Sequence, residues 1–217
     1  MSHIKAVLFD FDGTIEDTNQ VIVESWQYTA GRSIGHDLPM EPILGSFGEP
    51  LLDCLAKVIP GWDPEQLAAW YREYQFGYDG YIGMFPGIRE MVAELKAAGY
   101  TLGIVTSRDW NRMPRDLYHF DIGDQFDAVI SAESTSAHKP DPEPLQRCLQ
   151  KLGLQPDEAV YVGDSRLDML CAKNAGIKCI LVGWSLCYPP EKASGIYVPD
   201  YVVEKPSDLP ALLARID

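Results

Sequence analysis

The sequence predicts an α/β fold: a doubly wound parallel sheet with a smaller helical domain inserted after its first strand. Three observations carry this. The apolar run Ala6-Val7-Leu8-Phe9 reads as a buried strand close to the N-terminus. From Phe85 onward, short apolar runs alternate with segments of helical spacing, the pattern of a parallel sheet covered on both faces. Between these two regions, helical spacing recurs and no strand signal interrupts it.

The first strand runs into Asp10-Phe11-Asp12-Gly13-Thr14. Side chains alternate along a strand, so Asp10 and Asp12 are expected to project together at its carboxyl end. Gly13 permits a tight turn, within which the Thr14 hydroxyl is expected to bond. Adjacent carboxylates repel unless a cation lies between them or one holds a proton. A hard, oxygen-preferring divalent ion satisfies the first condition, and a general acid satisfies the second.

In the helical stretch, Val21 to Trp26 reads as part of a helix, and Pro39 and Pro42 flank a break. Leu51, Leu52, Leu55 and Val58 recur at helical spacing. Asp63-Pro64-Glu65 reads as a helix start, with Asp as cap and Pro in the first turn. Trp70, Tyr71, Tyr74, Phe76, Tyr78 and Tyr81 are expected in the core of a small helical bundle or in its packing seam.

In the alternating region, Ile88, Met91, Val92 and Leu95 fall on one helix face that Gly99 closes. Strands are predicted at Thr101 to Val105, Asp127 to Ile130, Val160 to Val162, and last at Cys179 to Val182. Helices carrying Leu145, Leu149 and Leu152, and spanning Leu167 to Ala175, are closed by Gly153 and Gly176. Asp141 and Asp157 read as caps, and Trp184 as a packing residue. Ligands of such sheets bind at the carboxyl ends of the strands, where Asp10, Thr106 and Asp164 fall.

Composition bounds the function. The chain has 217 residues, 46% hydrophobic and 23% charged, as in an ordinary globular protein. A net charge of −14 argues against nucleic acid or an acidic membrane surface as partner. No apolar stretch is long enough to span a bilayer, and no signal-peptide pattern opens the chain. The five cysteines (54, 148, 171, 179 and 187) lack paired spacing and read as reduced packing thiols of a cytoplasmic protein. His3, His36, His119 and His138 have no metal-ligand spacing. Monomer and homodimer both remain open.

Four polar signals follow strands or lie in the loops beyond them: Asp10-x-Asp12-Gly13-Thr14; Thr106-Ser107; His138-Lys139-Pro140-Asp141; and Gly163-Asp164-Ser165-Arg166-Leu167-Asp168. Taken singly, Thr106-Ser107 reads as a helix cap, Lys139 as a solvated lysine, and Asp164 with Asp168 as a surface pair. In this order and spacing, over nearly the whole chain, the set resembles the haloacid dehalogenase superfamily, in its capped phosphatase branch. The resemblance implies a Rossmann-like core over residues 1–15 and 85–217 and a helical cap over residues 16–84. It implies Asp10 as nucleophile and Asp12 as general acid and base. Mg²⁺ would be held by Asp10, Asp164 and the Asp12 carbonyl, with Asp168 steadying its water shell. Gly13, Thr106, Ser107 and Lys139 would face the phosphoryl group. Arg108 and Arg112, after the second motif, are read as surface arginines ahead of contacts to a substrate or the cap.

The function expected from the resemblance is Mg²⁺-dependent hydrolysis of a small phosphorylated metabolite through an aspartyl phosphate. Phosphoglycolate leads. Pyrophosphate follows closely, because Ser46-Phe47-Gly48-Glu49-Pro50-Leu51 resembles a stretch in members that hydrolyse it. A phosphosugar mutase of the β-phosphoglucomutase kind and a non-catalytic binding protein on the same fold are the alternatives.

Overall fold

A computed structural model describes residues 4–47, 51–77, 83–108 and 120–216. The chain divides into two compact units, Met1–Asp17 with Gly83–Asp217, and Thr18–Ile82. The first unit carries a sheet of six strands in the order β3-β2-β1-β4-β5-β6. They are β1 Ala6–Phe9, β2 Thr101–Val105, β3 Ala128–Ile130, β4 Ala159–Gly163, β5 Lys178–Val182 and β6 Tyr201–Val203. Every neighbouring pair is parallel. The chain builds outward from β1 to β3, then returns to the other side of β1 and builds outward again. The strand order therefore reverses between β1 and β4, where such sheets open a ligand crevice.

Strand alternation sorts the apolar residues onto two faces. Val7 and Phe9 of β1 join one core with Ile104, Val162 and Ile180. Helices α5 (Ile88–Ala97) and α8 (Asp208–Ile216) cover that face with Ile88, Met91, Val92, Leu95, Leu209 and Leu213. Ala6 and Leu8 join the opposite core with Tyr161, Cys179 and Leu181. There α6 (Glu143–Leu152) and α7 (Arg166–Ala175) supply Leu145, Cys148, Leu149, Met169 and Ala172.

The second unit holds α1 (Asn19–Ser33), α2 (Met40–Gly45), α3 (Leu51–Val58) and α4 (Pro64–Gly77). Trp26, Ile43, Leu55, Leu67 and Tyr71 close its core, with the Trp26 and Tyr71 rings edge-on at 6.0 Å between centroids. Asp63 Oδ1 accepts from the Glu65 N–H at 3.2 Å, as the sequence predicts for the start of α4.

Several expectations need correction. Cys179–Val182 is not the last strand: β6 follows, a three-residue edge strand whose Val202 is exposed, too short to show a period. Helix α8 was not anticipated, although Leu209, Leu212 and Leu213 carry its spacing. Pro42 lies in the first turn of α2 and breaks nothing, because no intrahelical bond needs its missing N–H there. Gln155, not Asp157, caps the turn before β4 through a reciprocal bond with Glu158. Pro142, not Asp141, is the N-cap of α6; Asp141 stands just before it and accepts from the Glu143 N–H at 2.9 Å. Phe76 is exposed and takes no part in the bundle core. Tyr78, Tyr81, Arg112, His3, His119 and residues 48–50 of the pyrophosphatase-like stretch lie outside the described residues. Trp184 packs as expected, and its Nε1–H donates to the Thr14 carbonyl at 3.1 Å. The five cysteines are free thiols. Among the described residues, no helix is long and apolar enough to cross a membrane.

Gly103 tests the packing around the central strands. A Cβ there would lie 2.8 Å from Leu8 Cδ2 and 2.9 Å from Cys148 Sγ, both fully buried. Gly103→Ala is expected to cost about 1–3 kcal/mol by overpacking. In thermal unfolding that is a fall of roughly 2–12 °C. An unchanged melting temperature would show that Leu8 and Cys148 give way freely.

Candidate active site

The carboxyl ends of β1, β2, β4 and β5 bring the polar residues together. Asp10 directly follows β1, and its N–H donates to the Val162 carbonyl at 2.8 Å. Asp164 directly follows β4, and Thr106 directly follows β2. Asp10, Thr106, Lys139, Asp164 and Asp168 are all buried. Burial of that many ionisable groups is costly unless they answer one another.

Lys139 does most of the answering. Its Nζ lies 2.8 Å from Asp10 Oδ1 and 2.7 Å from Asp168 Oδ1. The ammonium also stands 5.5 Å from the centroid of the Tyr161 ring. Burial alone would lower its pKa, but the charges of Asp10 and Asp168 reverse that and raise it, so Lys139 is a fixed cation.

Asp168 is held from several sides. The Tyr161 hydroxyl lies 3.0 Å from both Asp168 Oδ1 and the Val105 carbonyl, which compete for its one proton. The Ser165 N–H and hydroxyl both donate to Asp168 Oδ2, at 3.0 and 2.6 Å. Ser165 in turn accepts from the Asp168 N–H, closing a capping box at the start of α7. Burial pushes the Asp168 carboxyl upward, but Lys139 and these donors outweigh it and hold the carboxyl below its ordinary range.

Asp10 and Asp164 fare differently. Burial pushes Asp10 up to about 7, against the pull of Lys139 and with the push of Asp168. Burial pushes Asp164 well above the carboxylate range, helped by Asp168 and Asp10 and opposed by the Ser185 hydroxyl, which donates to Asp164 Oδ2 at 2.6 Å. Among the described residues, three buried carboxylates thus face one buried ammonium, and the positive charge is short.

That shortage is what a hard divalent cation would supply. Asp10, Asp164 and Asp168 each present an oxygen, all within 4.8 Å of one another. An all-oxygen anionic set suits Mg²⁺. Because Lys139, Tyr161 and Ser165 already occupy both Asp168 oxygens, Asp10 and Asp164 fit a direct ligand role better. Gly13 is shaped around the same group: its φ is +74°, and a Cβ there would fall 1.9 Å from Asp164 Oδ2.

Asp12 is placed otherwise than strand alternation predicts. β1 ends at Phe9, and the chain then winds into a tight turn in which the Ile15 and Glu16 N–H groups both donate to the Phe11 carbonyl. The Asp12 carboxylate lies outside the acidic group and faces Arg108. Arg108 is no surface arginine. Its Nε donates to Asp12 Oδ2 at 3.1 Å, and its Nη2 reaches both Asp12 Oδ1 and Glu16 Oε2. The Arg108 N–H also donates to Thr106 Oγ1 at 3.1 Å. Thr14, expected to bond within the turn, has a fully buried Oγ1 without a partner among the described residues. Ser107 is exposed beside Thr106.

Sequence reasoning missed Tyr161, Ser185, Glu16 and the placement of Arg108. A hydroxyl-bearing residue in the otherwise apolar β4 was a signal for Tyr161. Ser185, three residues beyond β5, lies at the same sheet edge as the other site residues.

Truncating the central cation is the sharpest test of this network. Lys139→Met would leave Asp10 and Asp168 buried and unpaired, and is expected to cost roughly 3–5 kcal/mol in denaturant unfolding without metal. A loss below 1 kcal/mol would mean that the carboxylates are neutral without Lys139.

Similarity to known proteins agrees with this arrangement. Residues 7–182 match the haloacid dehalogenase-like hydrolase family. A pyrophosphatase, PpaX, of Bacillus mycoides is 34% identical over 215 residues, spanning 99% of this chain and 99% of its own. A haloacid dehalogenase-like hydrolase family protein of Streptococcus pneumoniae superposes with a TM-score of 0.83 at 28% identity, covering 98% of this chain and 99% of that one. A Lactobacillus plantarum structure provisionally named a phosphoglycolate phosphatase gives a TM-score of 0.83 at 25% identity, over 96% of this chain and 99% of that one. With its acidic group at the switch point of a six-stranded parallel sheet, the chain belongs to the haloacid dehalogenase-like hydrolase family.

Proposed function

We propose that this chain is a Mg²⁺-dependent phosphatase that hydrolyses inorganic pyrophosphate through a phosphoaspartyl intermediate on Asp10. The observation that carries the reading is the setting of Asp10. It is a buried carboxylate at the carboxyl end of the central strand, 2.8 Å from the Lys139 ammonium and grouped with Asp164. A carboxylate becomes a useful nucleophile toward an anionic phosphoryl group only where cations offset the repulsion.

In this reading an Asp10 oxygen attacks phosphorus, and the bond from phosphorus to the bridging oxygen breaks. Lys139 and the Thr106 hydroxyl, with the Ser107 N–H, bind the phosphoryl oxygens as charge moves onto them. Asp12 gives a proton to the departing oxygen. It then takes one from the water that attacks the phosphoaspartate, and Asp10 is restored. Asp168 touches no substrate. It holds Lys139 in place through the 2.7 Å contact. Asp10, Asp164 and the Asp12 carbonyl would hold Mg²⁺, which when bound neutralises phosphoryl charge and keeps the attack in line. Gly13 lets the Asp12 loop pass close to Asp164. The helical unit Thr18–Ile82, which interrupts the chain between the first two motifs, is the cap of this reading.

Pyrophosphate is placed ahead of phosphoglycolate because the pyrophosphatase PpaX of Bacillus mycoides matches 99% of this chain at 34% identity, above the 25% of the phosphoglycolate-named structure. A mutase would share Asp10 and Asp12, and no observation here favours it.

Phosphate release from pyrophosphate with Mg²⁺ is the direct assay. Asp10→Asn is expected to remove activity by at least about a thousandfold. Retained turnover in that variant would end the nucleophile assignment. Mg²⁺ at a hundredfold excess over its Kd is expected to stabilise the wild-type fold by about 2.7 kcal/mol. Asp164→Asn should lose most of that gain in a thermal scan. An equal gain in both proteins would place the ion elsewhere.

A further inference from the structure

The proposed chemistry leaves one partly buried cation unused. Arg108 engages both oxygens of Asp12 and one oxygen of Glu16, and its guanidinium carbon stands 4.9 Å from the centroid of the Phe11 ring. Its side chain is 15% exposed and that of Glu16 only 4%. One guanidinium therefore serves two carboxylates.

The grip conflicts with the role of Asp12. A proton that Asp12 delivers to a leaving oxygen must sit on Oδ1 or Oδ2, and Arg108 donates to both. A cation on both oxygens favours the ionised carboxylate, so Asp12 carries that proton more readily once Arg108 moves off it. A guanidinium in so dry a place leaves one anion readily only for another. When Asp12 is within hydrogen-bond reach of the bridging oxygen, an anionic group one or two bonds beyond that oxygen comes within reach of Arg108. The backbone ties the two together, since the Arg108 N–H is bonded to Thr106 Oγ1, which faces the transferring phosphoryl group in this reading.

We propose that Arg108 binds the leaving group, and that it selects substrates whose leaving group is itself anionic. The terminal phosphate of pyrophosphate and the carboxylate of phosphoglycolate share that chemistry. As the bridging P–O bond breaks, its electron pair stays on the leaving oxygen, which takes the Asp12 proton, and Arg108 offsets the charge of the departing anion. Glu16 holds Arg108 when no substrate is present. A neutral leaving group, such as the phenol of phenyl phosphate, gives Arg108 nothing to move to. The inference rests on the phosphatase reading above and on Asp12 as proton donor.

The test is kcat/KM for pyrophosphate, phosphoglycolate and phenyl phosphate in the wild type, Arg108→Gln and Arg108→Lys. The quantity read is the ratio of each anionic-leaving substrate to phenyl phosphate. Arg108→Gln is expected to lower that ratio roughly 10- to 100-fold, the worth of a charged hydrogen-bond pair. Arg108→Lys keeps a cation beside Glu16 and should recover part of the ratio. Equal losses on all three substrates would overturn the proposal and reduce Arg108 to a support for the Asp12 loop. If Arg108→Gln fails to fold, the double variant Arg108→Gln/Glu16→Gln decides: a ratio within about twofold of wild type, with folding intact, counts against leaving-group binding. The two readings fail separately. Wild-type turnover of phosphoglycolate but not pyrophosphate would end the pyrophosphatase reading and leave the Arg108 ratio measurable.

Discussion

The Lys139 ammonium between Asp10 and Asp168 is the contact on which the site depends. It is buried, and so are both carboxylates. Removing an ion pair from water costs several kcal/mol per ion, and only close geometry with further donors offsets it. The structure supplies those donors to Asp168 through Tyr161 and both polar groups of Ser165. Asp168 is thereby fixed as an anion, Lys139 is fixed by Asp168, and Asp10 is presented to a cation that does not move. Among the described residues, the same arrangement leaves Asp10 and Asp164 short of positive charge.

A second charge cluster surrounds the first without sharing its logic. Arg108 gathers Asp12 and Glu16 away from the acidic group. Asp10 and Asp12, two residues apart in sequence, therefore have different ion partners, although burial, and to a lesser degree the Asp12 charge, still pushes the Asp10 carboxyl upward. Asp10 answers to Lys139 and Asp12 to Arg108. The division follows from the end of β1 at Phe9 and the tight turn beyond it.

The fold places both clusters at one edge by topology. Strand order reverses between β1 and β4, so the polypeptide after each strand departs in opposite directions and opens the crevice between them. Asp10 and Asp164 flank that opening, and β2 delivers Thr106 and Arg108 from the adjacent side. The helical unit enters and leaves the core side by side: the Asp17 N–H donates to the Gly83 carbonyl at 2.8 Å, and Glu16 bridges Met84. Glu16 thus belongs at once to the entry of the insertion and to the partner set of Arg108.

The sequence by itself determined the parallel sheet, the inserted helices and the edge at which polar residues collect. Those follow from local periods and from residues adjacent in the chain, such as Ala6–Phe9 leading into Asp10, or Ala159–Gly163 leading into Asp164. It missed β6, whose three residues are too few to carry a period, and passed over α8 although its leucines were spaced for it. Tertiary structure decided the partners. Nothing local says that Arg108 reaches back to Asp12 and Glu16, that Tyr161 turns its hydroxyl toward Asp168, or that Ser185 bonds Asp164. The Arg108 and Ser185 contacts join segments far apart in the chain, and the Tyr161 contact needs the helix after β4 to fold back beside its strand. A charged side chain looks the same in sequence whether it ends in solvent or against a buried carboxylate. The difference is made by desolvation, which exists only once the chain has folded.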